Sequence, residues 1–219
     1  MHNIPQFFIL IILAYLIGAI PTSVWVGRLF YSIDIRNYGS GNAGATNFMR
    51  VLGVRIGIPV LVFDIFKGWA AVNIIHFFKV FQFGTDQFVN VQIILGITAV
   101  IGHIYPVYVD FRGGKGVATI FGVLLALHPV ATLCAGGVFI LSLLFTKYVS
   151  VSSMLAGLSF PLWIILVFNS PYFYLRIFSL VVSVLLIITH MKNIKKLFKG
   201  EEKKASFIFG RIGENKPEN

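Results

Sequence analysis

Glycine, hydroxyl, amide and guanidinium groups crowd together in NYGSGNAGATNFMRVLG, residues 37–53. That mixture suits the holding of an oxyanion. Gly39, Gly41 and Gly44 permit positive φ and close backbone approach, and successive N–H groups in such a loop can form an anion-binding nest. Ser40 and Thr46 add hydroxyl donors, and Asn42 and Asn47 add amides. Arg50 adds a planar fork matched to phosphate oxygens. On these residues alone, a flexible connector with a positive-inside Arg remains an alternative.

A second stretch, GHIYPVYVDFRGGKGVAT (residues 102–119), repeats the chemistry. Arg112, Gly113, Gly114 and Gly116 surround Lys115 just before an apolar run, and a helix N-terminus there would offer free N–H groups to an anion. A nucleotide-binding P-loop is excluded, because it needs glycine where Val109 stands and Ser or Thr where Gly116 stands. In a third stretch, THMKNIKKL (residues 189–197), His190 and Asn193 share a helix face. The Lys192, Lys195, Lys196 and Lys199 face opposite Ile194, Leu197 and Phe198 fits an anionic membrane surface. Asp64 and Lys67 lie on one face inside an apolar run, where ionisable groups are costly and pair or support a site. His103 and His128 have no carboxylates at ligand spacing, so no metal site is expected. Cys134 is the single cysteine, which excludes an internal disulfide.

These groups are embedded in a chain that is 57% hydrophobic and only 12% charged, against roughly 25% charge in soluble domains. The apolar runs at 5–27, 56–78, 91–110, 117–128, 130–146, 150–168 and 174–190 lack period-2 alternation, which disfavours a barrel. An all-α integral membrane protein is expected. The first run lacks a charged leader and a small-residue cleavage site, so a retained span is expected. The run at 117–128 is short: about 12 residues at ~1.5 Å rise cover ~18 Å of a ~30 Å core.

Charge sets the topology. Seven crossings put the N-terminus outside and the C-terminus in the cytoplasm, with 15 of 18 basic residues on the inner face and only Lys79 and Arg176 outside. Merging the runs on either side of Pro129 would put Lys147 outside and separate the tail from the two glycine-rich stretches. The expected organisation is a seven-helix bundle with some short helices over residues 1–198, and a basic, solvated tail over 199–219. All three polar stretches then meet on the cytoplasmic face. With so few acidic residues there, they suit a ligand richer in negative charge than one phosphate, with an acyl chain in the adjoining lipid.

GSGNAGATNFMR, GHIYPVYVDFRGGKGVAT and THMKN resemble the three motifs of the bacterial acyl-phosphate:glycerol-3-phosphate acyltransferases, with GAIPTSVWVGRL and DIFKG similar to flanking segments. The resemblance spans roughly residues 5–198. It implies transfer of a fatty acyl group from acyl phosphate to the 1-hydroxyl of glycerol 3-phosphate, giving 1-acyl-glycerol 3-phosphate and phosphate. It also implies a multi-pass bacterial cytoplasmic-membrane protein whose site faces the cytoplasm. By motif position, Ser40, Arg50, Lys115, His190 and Asn193 would bind the glycerol 3-phosphate phosphate. Backbone around Gly41, Asn42, Ala43, Gly44 and Ala45, with Thr46 and Asn47, and around Gly113, Gly114 and Gly116 would hold the acyl-phosphate head. Arg112 stands where the family more often has Lys, with its charge retained.

No cofactor, nucleic acid or protein partner is implied, and the membrane lipid is the surrounding solvent. Acyl phosphate is already activated, so the protein's share is orientation and polarisation of the acyl carbonyl. Either His190 or a substrate phosphate takes the hydroxyl proton, and the resemblance favours the substrate, with His190 as phosphate ligand. A thioester-dependent acyltransferase would be marked by His, four residues and Asp. Here the residues five after each histidine are Phe7, Phe81, Tyr108, Leu133 and Lys195. An organic-anion transporter would need polar groups through the midplane, where Asp64 and Lys67 stand alone.

Overall fold

The computed structural model describes residues 4–78 and 81–209; Lys79, Arg211 and Lys216, used above in counting charge, lie outside the described residues. Eleven α-helices account for nearly all of the described fold: α1 (Ile4–Ala19), α2 (Thr22–Tyr31), α3 (Ala45–Leu52), α4 (Val54–Asn73), α5 (Asp86–Ile104), α6 (Val117–Leu127), α7 (Pro129–Thr146), α8 (Val149–Leu162), α9 (Phe173–Thr189), α10 (Met191–Phe198) and α11 (Ser206–Phe209). Four helical stretches, Val54–Phe77, Asp86–Val109, Pro129–Thr146 and Val149–Val167, are long and apolar enough to cross a membrane. The pairs α1–α2 and α9–α10, bent by 44° and 54°, raise the number to six if each pair is one span, and α6 is a shorter apolar helix.

Local chemistry sets several helix ends. The Thr85 hydroxyl accepts from the Phe88 N–H at the start of α5, a side-chain cap for an otherwise orphaned donor. The chain breaks between α6 and α7 at His128, whose Nδ1 accepts from the Ala131 N–H at 3.2 Å. Pro129 follows at the first helical position, where its missing N–H costs nothing. The apolar run expected at 5–27 is bent into two helices, because Pro21 cannot donate and the helix opens at Ile20.

Glycines let the bundle close. A Cβ on Gly102 of α5 would stand 2.8 Å from the Ala19 amide nitrogen of α1, and one on Gly122 of α6 would stand 2.8 Å from the Ile65 carbonyl carbon of α4. Gly68 meets the Thr119 backbone of α6 in the same way. Small residues at such crossings let backbones approach where lipid offers no hydrophobic drive for association. Val72, Ile93, Val123, Ala135, Phe160 and Leu175 fill the core between α4 and α9. Phe8, Ile12, Leu133, Ile140 and Val184 face outward, as lipid-solvated helices require.

One buried ion pair stands inside this packing. Lys67 Nζ lies 2.8 Å from Asp64 Oδ1, each side chain only 2% exposed. The ammonium also donates to Ile20 O at 2.7 Å, and the Thr22 hydroxyl donates to the same carboxylate oxygen at 2.9 Å. The pair thus bonds both sides of the α1–α2 break, Ile20 O through the ammonium and the Thr22 hydroxyl through the carboxylate.

Two consequences are testable by thermal unfolding of the purified protein. Lys67→Ala strands the Asp64 carboxylate and should cost about 3–5 kcal/mol, whereas replacing both partners with apolar residues of similar volume should cost far less. A Lys67→Ala melting temperature equal to wild type would contradict this role. Gly122→Val forces α4 and α6 apart and should destabilise by about 1–3 kcal/mol; a neutral effect would show that the crossing is loose.

Candidate active site

The first glycine-rich stretch is braced from within. Asp34 accepts the Arg36 side chain at 2.7 Å, the Arg28 side chain at 2.8 Å and the Arg36 N–H at 3.0 Å. Its carboxyl is held well below the usual carboxylate range, the Arg36 hydrogen bond being the chief cause. Arg36 reaches on to the Val109 carbonyl at 2.9 Å, tying this stretch to the second one. Asn47 is 1% exposed, its Oδ1 accepts from the Ser40 N–H, and its Nδ2 donates to Ile35 O and Tyr38 O. Its amide is thus spent on the loop. Asn47, expected to touch substrate, braces the turn at Gly39 and Gly41, where φ is +62° and +73°.

The second stretch is seated on α5. The Gly113 N–H donates to Ile104 O and the Gly114 N–H to His103 O. The His103 ring is buried against Gly114 and shares a 3.0 Å hydrogen bond with the Thr119 hydroxyl. These two amides, and that of Gly41, which donates to Tyr38 O, are therefore not the anion donors expected from glycine content. The open donors lie one step further along. Gly44 and Gly116 are the N-caps of α3 and α6, and neither helix has a side-chain cap. The first-turn N–H groups beginning at Ala45 and Val117 lack intrahelical partners, so a positive helix end faces out from each glycine stretch. Thr46 lies in that first turn of α3, and Asn42 and Ala43 precede its cap. A cavity of about 10 Å³, room for one water, lies between the stretches, lined by Thr22, Ala43, Asp64, Lys67, His103 and Gly114, among others. The buried ion pair thus underlies both stretches.

Lys115, Asn193 and His190 come together. The Lys115 ammonium donates to Asn193 Oδ1 across 78 residues of sequence. Burial above all lowers its pKa from 10.5 to about 8; the Glu202 carboxylate opposes the shift, while Arg50 and Lys196 add to it. Arg50 is half-buried, with burial lowering its pKa and Glu202 opposing. His190 caps α9 and is 2% exposed. Its Nδ1 lies 2.8 Å from Leu186 O; because the carbonyl can only accept, Nδ1 carries the proton and Nε2 the lone pair. With Nδ1 donating to that carbonyl, the neutral imidazole has Nε2 left as an acceptor, which suits a hydroxyl better than a phosphate. Ser40 and Arg112 are exposed, and Asp110 is exposed beside Arg36 with φ +57°. Asp110 is thus no buried base.

Two further residues belong to this cluster: Glu202, assigned from the sequence to the solvated tail, and Ser150, for which the sequence suggests no role. Glu202 Oε1 accepts from Asn193 Nδ2 at 2.6 Å and from the Ser150 hydroxyl at 3.0 Å. Because Glu202 holds the amide nitrogen, Asn193 must turn its oxygen to Lys115. The chain reaches this point through a reversal after α10: Gly200 at φ +71° donates to Leu197 O, and the Glu201 N–H donates to Lys196 O. That is the double bond pattern of a left-handed helix C-cap. Ser150, 4% exposed, was legible only as a hydroxyl among Ser150, Ser152 and Ser153 in an apolar run.

Residues 8–200 match the family model described as glycerol-3-phosphate acyltransferase. Relatives bearing that name include one from Chlorobaculum parvum, 43% identical over 225 residues, spanning 92% of this chain and 97% of the relative. Another, from Fusobacterium nucleatum, is 42% identical over 201 residues, spanning 92% and 99%. The crystal structure of PlsY (YgiH), an integral membrane glycerol 3-phosphate acyltransferase, in its glycerol 3-phosphate form matches with a TM-score of 0.80 at 34% identity. It covers 91% of this chain and 95% of that one. The lysphosphatidic acid form matches with a TM-score of 0.78 at 33% identity, covering 93% and 99%. Family model, identity, coverage and fold agree, and the chain belongs to the glycerol-3-phosphate acyltransferase family of integral membrane enzymes.

Proposed function

We propose that this protein transfers a fatty acyl group from acyl phosphate to the 1-hydroxyl of sn-glycerol 3-phosphate, on the cytoplasmic face of a bacterial cytoplasmic membrane. The observation that carries the proposal is the meeting of Arg50, Lys115, Asn193 and His190, drawn from three separate stretches, beside two uncapped helix N-termini. The bent pairs α1–α2 and α9–α10 each make one span, and α6 completes seven crossings. The basic residues then gather on the inner face with the N-terminus outside.

The roles follow from charge and geometry. Arg50 and Lys115 hold the phosphate of glycerol 3-phosphate, with Ser40 at the exposed rim and Asn193 fixing Lys115. His190, neutral with Nε2 free, accepts a hydrogen bond from the substrate hydroxyl and orients it. The first turns of α3 and α6, at Ala45–Thr46 and after Gly116, hold the acyl-phosphate head and polarise its carbonyl. The hydroxyl oxygen attacks the acyl carbon, the bond from that carbon to the phosphate oxygen breaks, and inorganic phosphate departs. The hydroxyl proton ends on the departing phosphate, whose fully deprotonated form is a far stronger base than an imidazole, and hydrogen phosphate leaves.

Product analysis tests the donor. Purified protein with palmitoyl phosphate and glycerol 3-phosphate, without nucleotide, should yield 1-palmitoyl-glycerol 3-phosphate and phosphate in equal amounts. Activity with palmitoyl-CoA alone would overturn the donor assignment. The pH profile tests Lys115. Binding needs the ammonium, which exists below the lowered pKa, so kcat/KM for glycerol 3-phosphate should fall as pH rises through about 8. In Lys115→Arg the guanidinium keeps its charge, and that limb should move to higher pH. An unmoved limb would remove Lys115 from the phosphate site.

A further inference from the structure

Arg50 has a partner that the functional reading does not use. Past residue 200, where the family match ends, the chain runs back across the cluster as a strap fixed at three points. Glu202 is held by Asn193 and Ser150. The Ala205 N–H, on a residue 1% exposed, donates to Lys147 O at 2.7 Å. The Lys204 ammonium lies 5.9 Å from the Tyr148 ring centroid. The strap then turns into α11, with the Ile208 N–H on Ala205 O, and this places the half-buried Phe207 ring 5.5 Å from the Arg50 guanidinium carbon.

We propose that Phe207 is a positioning residue for glycerol 3-phosphate binding: its ring face holds the Arg50 guanidinium in place, so that the fork is oriented before phosphate arrives. Arg50 sits in the last turn of α3, and it appears in no hydrogen bond or ion pair among the described residues. Its long side chain would otherwise lose rotamer freedom on binding. A ring face attracts the cation without occupying its N–H groups, which leaves those donors free for phosphate oxygens. A carboxylate in that place would orient Arg50 but compete with the substrate.

This inference rests on the proposed phosphate role of Arg50, and the test separates the two. Phe207→Ala, Phe207→Leu and Phe207→Trp are compared with wild type for KM and kcat with glycerol 3-phosphate, and for thermal protection by glycerol 3-phosphate without donor. Phe207→Ala should raise KM about three- to tenfold, the range of a partly desolvated cation–π contact, with kcat within about twofold of wild type. Phe207→Leu, which keeps apolar volume but no ring face, should behave like Phe207→Ala, and Phe207→Trp should restore KM. A wild-type KM in Phe207→Ala, full rescue by Phe207→Leu, or a lowered KM, as for a strap that blocks entry, would each overturn the proposal. So would equal loss of folded protein in all three variants. If Arg50→Ala itself leaves KM and ligand protection unchanged, the phosphate role of Arg50 fails instead.

Discussion

A lysine ammonium drawn out of water must be compensated by fixed dipoles or charge, and Lys115 shows how this chain does it. The ammonium at the end of the second glycine stretch bonds Asn193 Oδ1, and Asn193 in turn is fixed by Glu202. That relay joins the loop before α6, the break between α9 and α10 and the returning strap. It also holds Lys115 half-buried with a pKa of about 8. A cation so placed is partly desolvated before the substrate arrives, and its attraction for phosphate is stronger than that of a surface lysine. The backbone of that loop is seated on α5, and the relay fixes the Lys115 side chain above it.

Beneath the relay, the scaffold takes up the glycine amides that composition alone offers to a ligand. Gly113 and Gly114 bond the carbonyls at the end of α5, and Gly41 closes a turn on Tyr38. The donors left for an anion are the first turns of α3 and α6. The Asp64–Lys67 pair sits under both stretches, and Arg36 links them on the outer side. Rigid placement of two helix ends, rather than a flexible glycine cradle, is the physical basis of the acyl-phosphate assignment.

Much of this was legible in the residues. Apolar runs predicted helices, and the pause at Pro129 separated α6 from α7 as it does in the structure. Arg50 and Lys115 stood out as phosphate-matched cations in glycine-rich stretches, and His190 and Asn193 as polar residues sharing one helix face, with their common role implied by the family resemblance. What escaped detection depended on partners remote or hidden in sequence. Asn47 read as a donor because its acceptors, Ile35 O and Tyr38 O, are backbone atoms. Glu202 lay in a charged run, and only the reversal at Gly200 brings it to Asn193. At the bend, Ile20 O is bonded by Lys67, 47 residues away, a partner that no local pattern announces.

The central claim is that Arg50 and Lys115 share one phosphate beside a neutral His190. A crystal structure of this protein with glycerol 3-phosphate bound tests it most directly. The account predicts phosphate oxygens at about 2.7–2.9 Å from both the Arg50 guanidinium and Lys115 Nζ, with a glycerol hydroxyl on His190 Nε2. Phosphate bound away from either cation, or seated on His190 with the hydroxyls pointing elsewhere, would contradict it.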